Sequence, residues 1–497
     1  MGLTVEEIRD RAERLRSALV EEMLEGFTGR KPWPEYAPLY AGQRVLAWEA
    51  SAPVIERELA SSSGERERRL RRLLAWAAEH QVRAATAPLD DEFSHWHATA
   101  AVDLDGRRVP VGQLRSMIQA EQDRAARDEL TEVRAQAWEE VGPLQLDRLN
   151  RWRTAAAELG YGPYREAVQR LGGLNLAHLA SEAERLLAAT RGIFAVALDL
   201  HLDRWLGLAK GEARAHDIDW LSRMDWLEAP CDEATILAAI RRDLAAIGLD
   251  LEEDGRVDLD VEPFPGPGMR ATCAPVRVPD RVVLFVTPTT TPKACRSLLR
   301  EVGEALHWSR TDPSLPFEYR AIGDVAVAEA VGFLFADLAV DRDWVREVRG
   351  LDGQRLDDYL EVAAFLDLFH LRRVAGRLLF DIEVCVSERP GSLGPRWAER
   401  MEEATGLRYD PRLFLERIGQ RLGTARELRA RILAALLGRS LRERFGARWY
   451  RDPGAGAFLR SWMAGGLSRN ADERAALLGV ERLGTDLLVD GLRERLA

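Results

Sequence analysis

Lysine and cysteine are scarce in this chain, and no long apolar run occurs in it. Cysteine appears four times, as Cys231, Cys273, Cys295 and Cys385, far apart and never as CxxC. That spacing argues against a disulfide framework and against a cysteine-rich zinc site, and leaves four buried thiols as the expectation. Lysine occurs only at Lys31, Lys210 and Lys293, so the basic side chains are almost all arginine, a bias that reads as GC-rich coding rather than as a site. With 70 basic against 81 acidic residues, a formal net charge of −11 and no Lys/Arg block, neither a nucleic-acid partner nor an anionic membrane is favoured. No apolar run approaches the roughly 18 residues of a membrane span. The stretch to Val20, carrying Glu6, Glu7, Asp10 and Glu13, lacks a signal peptide's apolar core, and a cytoplasmic location is expected. Phosphate-binding and serine-hydrolase signatures are missing as well: no GxxxxGK[ST], no GxGxxG opening a helix after a strand, no GxSxG.

A chain of 497 residues calls for two or three lobes, and 46% apolar with 30% charged residues is the balance of a globular protein that buries a large interior. Heptad-like apolar spacing, as in Ile8, Leu15, Leu19 and Met23, predicts a helical lobe over 1–247. Its exception is a small hairpin near 101–111, turning at Asp105-Gly106. A helix break is expected at Gly160 to Pro163 and a connector at Gly207 to Asp217. A second lobe is expected over 248–497. It opens with the Pro/Gly-rich loop Pro263 to Gly268, followed by an antiparallel hairpin over 271–286 joined through Pro279-Asp280. Thr287-Pro-Thr-Thr-Thr-Pro292 supplies threonine caps for a helix over 293–309, and another helix is expected over 322–340 before the C-terminal helices.

The informative segment is Cys295-Arg-Ser-Leu-Leu-Arg-Glu-Val-Gly-Glu-Ala-Leu-His307. A zinc peptidase places two histidines four apart on a helix after a strand, as HExxH, because residues i and i+4 share a face and the glutamate after the first ligand activates the metal-bound water. Here the frame reads Arg300-Glu301-Val302-Gly303-Glu304, and both histidines are absent.

The segment resembles the thimet oligopeptidase and oligoendopeptidase F group of zinc metallopeptidases (gluzincins), whose helix reads HExGHxxH and whose third ligand is a glutamate 25 residues after the second histidine. Glu329 stands at that offset from Glu304, in Val327-Ala-Glu-Ala-Val-Gly-Phe-Leu-Phe335. Leu315 to Asp324, Cys273 to Pro279, Phe369-His-Leu-Arg-Arg373 and Arg444 to Leu459 are similar to stretches of the same group, so the resemblance covers most of residues 140 to 490. It implies a mostly α-helical, two-lobed zincin-like fold with a deep central cleft and a small antiparallel sheet beside the motif helix. It also implies a sheet edge that holds an extended peptide by strand addition. The late segment where the group carries a tyrosine reads Arg421 to Arg429 here, without one, and with Gly423 and Glu427 where it would stand.

Arginine cannot ligate a cation, since its guanidinium stays protonated and brings a charge of its own. Zinc in the relatives offsets the buried carboxylates, so a metal-free site needs another cation for Glu301, Glu304 and Glu329, and Arg300 is the expected one. On a helix Arg300, Glu304 and His307 fall along one stripe. The expectation is a zinc-site remnant made of Arg300, Glu304, His307 and Glu329, with Glu301 at the former general-base position and no cofactor. The function that follows is a catalytically inactive pseudopeptidase whose cleft binds a peptide or a partner protein, for example an active paralogue. The alternative is an active hydrolase with an atypical metal shell of Glu304, His307 and Glu329 and with Glu301 as base, since Glu304-Ala-Leu-His307 has the spacing used by di-iron bundles. Other histidines have plain readings. His95 and His97 around Trp96 read as a packing pair, and Asp367 with His370 and His216 with Asp217 read as helix-surface and capping pairs.

Overall fold

The computed structural model describes residues 2–224, 233–262, 271–287, 291–418 and 422–496. The expectations for Cys231, for the Pro263 to Gly268 loop, for residues 288–290 of the threonine run and for Arg421 lie outside the described residues. Helices make up most of the chain, and no described helix is long and apolar enough to cross a membrane. The small hairpin forms from Ala101–Leu104 and Arg107–Pro110, with Asp105 and Gly106 both at positive φ, 52° and 77°, as a tight two-residue turn requires. Helices also stop where turn residues interrupt the pattern: after Glu158, Leu206 and Thr405, and before Pro453.

The sheet beside the motif has three strands rather than two. Ala271–Arg277 pairs antiparallel with Arg281–Val286, and Val257–Val261 adds to the other side of Arg281–Val286 in parallel. The added strand was missed although Val257, Leu259 and Val261 alternate with Asp258 and Asp260, because aspartate has low strand propensity and a parallel partner is not announced by any turn. Side chains leave the sheet on alternate faces, and both faces are covered. Ala274, Val276, Val283 and Phe285 pack against Val20 and Leu24 of the N-terminal helix Val5–Phe27. Cys273, Val282, Leu284 and Val286 join the main core with Leu298 and Val302 of the motif helix. That core runs through the chain from Ala78 to Leu492. A second cluster joins Ile8 and Leu15 to Leu73, Trp76, Phe317 and Ile322.

The motif helix is Pro292–Ser309. Pro292 sits in its first turn, where no amide donor is needed, and the Thr291 hydroxyl accepts from the Ala294 amide at 3.3 Å. It crosses the helix Ala326–Ala336 at very close range, and two glycines allow the crossing. A Cβ on Gly303 would lie 2.5 Å from the Val331 carbonyl oxygen, and one on Gly332 would lie 2.8 Å from Glu304 Cγ and 2.9 Å from the Arg300 carbonyl oxygen. His95 and His97 lie near the end of the long helix Gly64–Thr99. Substituting Gly303→Ala should force the two helices apart and lower stability by about 2 kcal/mol in urea unfolding. An unchanged midpoint would mean the crossing relaxes at no cost.

Candidate functional site

The helix crossing brings four charged side chains together. Arg300 extends from the motif helix beside its neighbours, with Nη2 2.5 Å from Glu301 Oε1 and Nη1 3.5 Å from Glu304 Oε1. The second oxygen of Glu301 accepts the Cys273 amide at 2.8 Å, so both oxygens of the expected general base are engaged. Glu329, three residues before Gly332, is brought to the same place by the crossing. Its Oε1 lies 2.7 Å from Nε of Arg426, at the start of the helix Gly423–Phe445. All three carboxylates are shielded, with side chains 6%, 13% and 12% exposed for Glu301, Glu304 and Glu329.

Burial opposes the charge on Arg300, but Glu301, Glu304 and Glu329 outweigh it and hold the guanidinium above its ordinary pKa. For Glu304 burial and the neighbouring Glu301 win over Arg300, and the carboxyl is raised to about 8. Glu304 is therefore protonated at neutral pH, which fits an Oε1 that accepts no hydrogen bond. Glu329 is also raised by burial, against the pull of Arg426 and Arg300. The Cys273 thiol, buried next to Glu304 and Glu301, is pushed far up and stays protonated.

The structure thus gathers Arg300, Glu301 and Glu304 into one cluster, sets Glu329 beside it on a separate arginine, and leaves His307 out. His307 does continue the helix stripe, but makes no hydrogen bond to the charged cluster. Its ring is fully buried, neither nitrogen has a hydrogen-bond partner, Trp308 meets it edge-on at 5.5 Å, and burial pushes its pKa down to about 3. It is a neutral core side chain. Among the described residues no group of three or more His, Cys, Asp or Glu side chains converges as a metal shell requires. The donor set does not fit zinc either: Arg300, at the position expected for the first ligand, is a guanidinium, and a second guanidinium, Arg426, engages Glu329, expected as the third.

Arg426 is the residue that sequence reasoning missed. It lies between Gly423 and Glu427, the positions inspected for a tyrosine, and the available signal was charge: three buried carboxylates exceed one arginine. A cleft opens beside the cluster, lined by Arg300, Glu329, Arg377, Thr424, Arg426 and Glu427. His370 does not pair with Asp367 on a helix surface. Its Nε2 lies 2.7 Å from Glu427 Oε1 and its Nδ1 accepts from Arg373 at 3.1 Å, while burial pushes its pKa down to about 4. Asp367 instead pairs with Arg296 and, at 2.8 Å, with Arg495. The surface reading failed because the helix Gly353–Val386 is surrounded by other elements along most of its length.

The sheet edge next to the motif helix is also occupied. Ala271–Arg277 is an edge strand, but its Cys273 amide is given to Glu301, Pro275 has no amide, and the Pro275 carbonyl accepts from Arg16 at 2.7 Å. The expected strand addition finds no free main-chain donor at 273 or 275.

Solved structures share this architecture. PZ peptidase A with an inhibitor superposes with a TM-score of 0.66 at 15% identity, over 97% of this chain and 86% of that one. An oligoendopeptidase F from Bacillus anthracis str. Ames gives 0.62 at 13% identity, over 97% and 84%. A carboxypeptidase from Pyrococcus furiosus gives 0.63 at 15% identity, over 100% and 99%. No family model and no curated protein matches the chain. The fold is therefore the mostly α-helical one of the oligoendopeptidase F-like and related peptidase structures.

The protonated Glu304 sets a pH dependence. Its folded pKa, raised from 4.5 to about 8, means that the folded state keeps a proton the unfolded chain has released across that window. Stability contributed by this site must then fall as pH rises from about 4.5 to about 8. Relative to the wild type, Glu304→Gln should gain at least about 1 kcal/mol over that range in urea unfolding. A difference constant with pH would show that Glu304 is ionised throughout.

Proposed function

We propose that this chain is a catalytically inactive relative of the oligoendopeptidase F-like zinc peptidases, a metal-free pseudopeptidase that holds a peptide or a segment of a partner protein in its cleft. The observation that carries this reading is Arg300 in contact with both Glu301 and Glu304, at the position where a zincin helix has its first histidine. With Glu304 protonated, the two guanidinium charges of Arg300 and Arg426 match the two charges of Glu301 and Glu329, so the arginines take over the charge role of the zinc ion. Hydrolysis of an amide without the Lewis acid forgoes several kcal/mol of transition-state stabilisation and the low-pKa water. Glu301 has one oxygen on a guanidinium and the other on a backbone amide, so about two of its four lone-pair sites are committed before any substrate water is met.

The active-hydrolase alternative needs Glu304, His307 and Glu329 around one ion, and the buried, unpartnered ring of His307 gives it no support. A cytoplasmic location and a partner such as an active paralogue belong to the proposed reading. A quenched-fluorescence peptide library, assayed with and without a chelator, tests it. The expected result is no turnover in either condition, with peptides retained on the immobilised protein. Cleavage that the chelator abolishes would overturn it.

A further inference from the structure

Beyond the arginine cluster the cleft continues as two adjoining pockets, which share Arg115, Asp219, Phe369, His370 and Arg373. The first of them is continuous with the cleft beside Arg300 through Arg377, Thr424 and Glu427. Most charges on these walls are matched. Arg134 lies 2.5 Å from Glu416, Arg431 lies 3.0 Å from Glu427, and Arg296 pairs with Asp367. Arg115 and Arg373 are different. The ion pairs they make are long, 3.8 Å from Arg115 to Glu416 and 3.9 Å from Arg373 to Asp219, Arg373 otherwise donating to the neutral His370 ring at 3.1 Å, and their side chains remain 39% and 32% exposed. Glu416 is already engaged by Arg134, so Asp219 is left to face both guanidiniums. Burial pushes Asp219 up, but Arg115, Arg373, Lys293 and Arg134 together hold it below the usual carboxylate range. In a chain of net charge −11, the inside of the cleft is thus locally positive. Ile218, Met224, Val340 and Leu366 supply an apolar floor next to the two arginines.

We infer that Arg115 and Arg373 form an anion seat in the cleft, separate from the Arg300 cluster, which takes a carboxylate of a peptide whose neighbouring apolar residue rests on the floor. This rests on the peptide-binding reading above and names its preferred ligand: an acidic, amphipathic segment. Recognition by side-chain charge also suits a cleft whose sheet edge has no free amide at 273 or 275. The carboxylate can come from a glutamate side chain or from a chain terminus, and the guanidinium fork recognises both.

The test is fluorescence polarisation with a fluorescein-labelled, C-terminally amidated peptide of alternating Glu and Leu, beside the same peptide with Gln for Glu, amidated and as the free acid. The Glu peptide should bind about tenfold tighter than the amidated Gln peptide, and weaken with added salt. Arg115→Gln with Arg373→Gln, verified as folded by its thermal melt, should erase that preference. The Gln peptide as free acid binding like the Glu peptide would support the seat and assign it to a chain terminus. Equal binding of Glu and amidated Gln peptides by the wild-type protein would overturn the seat and leave the pseudopeptidase reading in place. No peptide binding, with glutarate still raising the melting temperature of the wild type but not of the variant, would support the seat and overturn the peptide reading. No effect of any of these ligands would overturn both.

Discussion

Three carboxylates packed at one helix crossing need compensating positive charge. Glu301, Glu304 and Glu329 are brought together because Gly303 and Gly332 let the two helices approach to backbone contact, and this geometry places the acids whether or not an ion is available. In a zinc peptidase the ion supplies that charge. In the proposed metal-free reading the same demand is met in this chain by two guanidiniums and one retained proton: Arg300 on Glu301 and Glu304, Arg426 on Glu329, and a Glu304 carboxyl raised by burial and by Glu301. Partial pairing in such a place is costly, so the arrangement is stable only as a set.

The same compensation has consequences for the surrounding surfaces. Engaging Glu301 with the Cys273 amide ties the motif helix to the edge strand and uses the donor that an added strand would take. Arg16, reaching across to the Pro275 and Ala321 carbonyls, fastens the N-terminal helix to that edge as well. The walls of the cleft beyond carry several arginines, among them Arg115, Arg373 and Arg377. A binding function that remains in such a molecule is driven by side-chain charge and apolar contact.

Much of this was legible in the residues themselves. The Arg300-Glu301-Val302-Gly303-Glu304 frame and the 25-residue offset to Glu329 located the crossing, because helix spacing fixes which side chains share a face, and Asp105-Gly106 announced its turn. Arg426, the pairing of the parallel strand Val257–Val261 and the contact of His370 with Glu427 were not legible, since each depends on which distant element packs alongside. His307 shows the limit in the opposite direction. Its spacing put it on the stripe of Arg300 and Glu304, but its ring is fully buried without a hydrogen-bond partner and takes no part in the cluster. Residue order describes one helix face well and says little about what packs against each turn of it.

Metal content of the purified, untagged protein, by plasma mass spectrometry before and after loading with zinc, manganese and iron, addresses the central claim most directly. If the two arginines hold the place of the ion, every sample should contain less than roughly a tenth of an equivalent, because a protonated guanidinium repels a cation at the first ligand position. Near-stoichiometric metal that disappears on Glu329→Ala would contradict the account and make the carboxylates a working metal site.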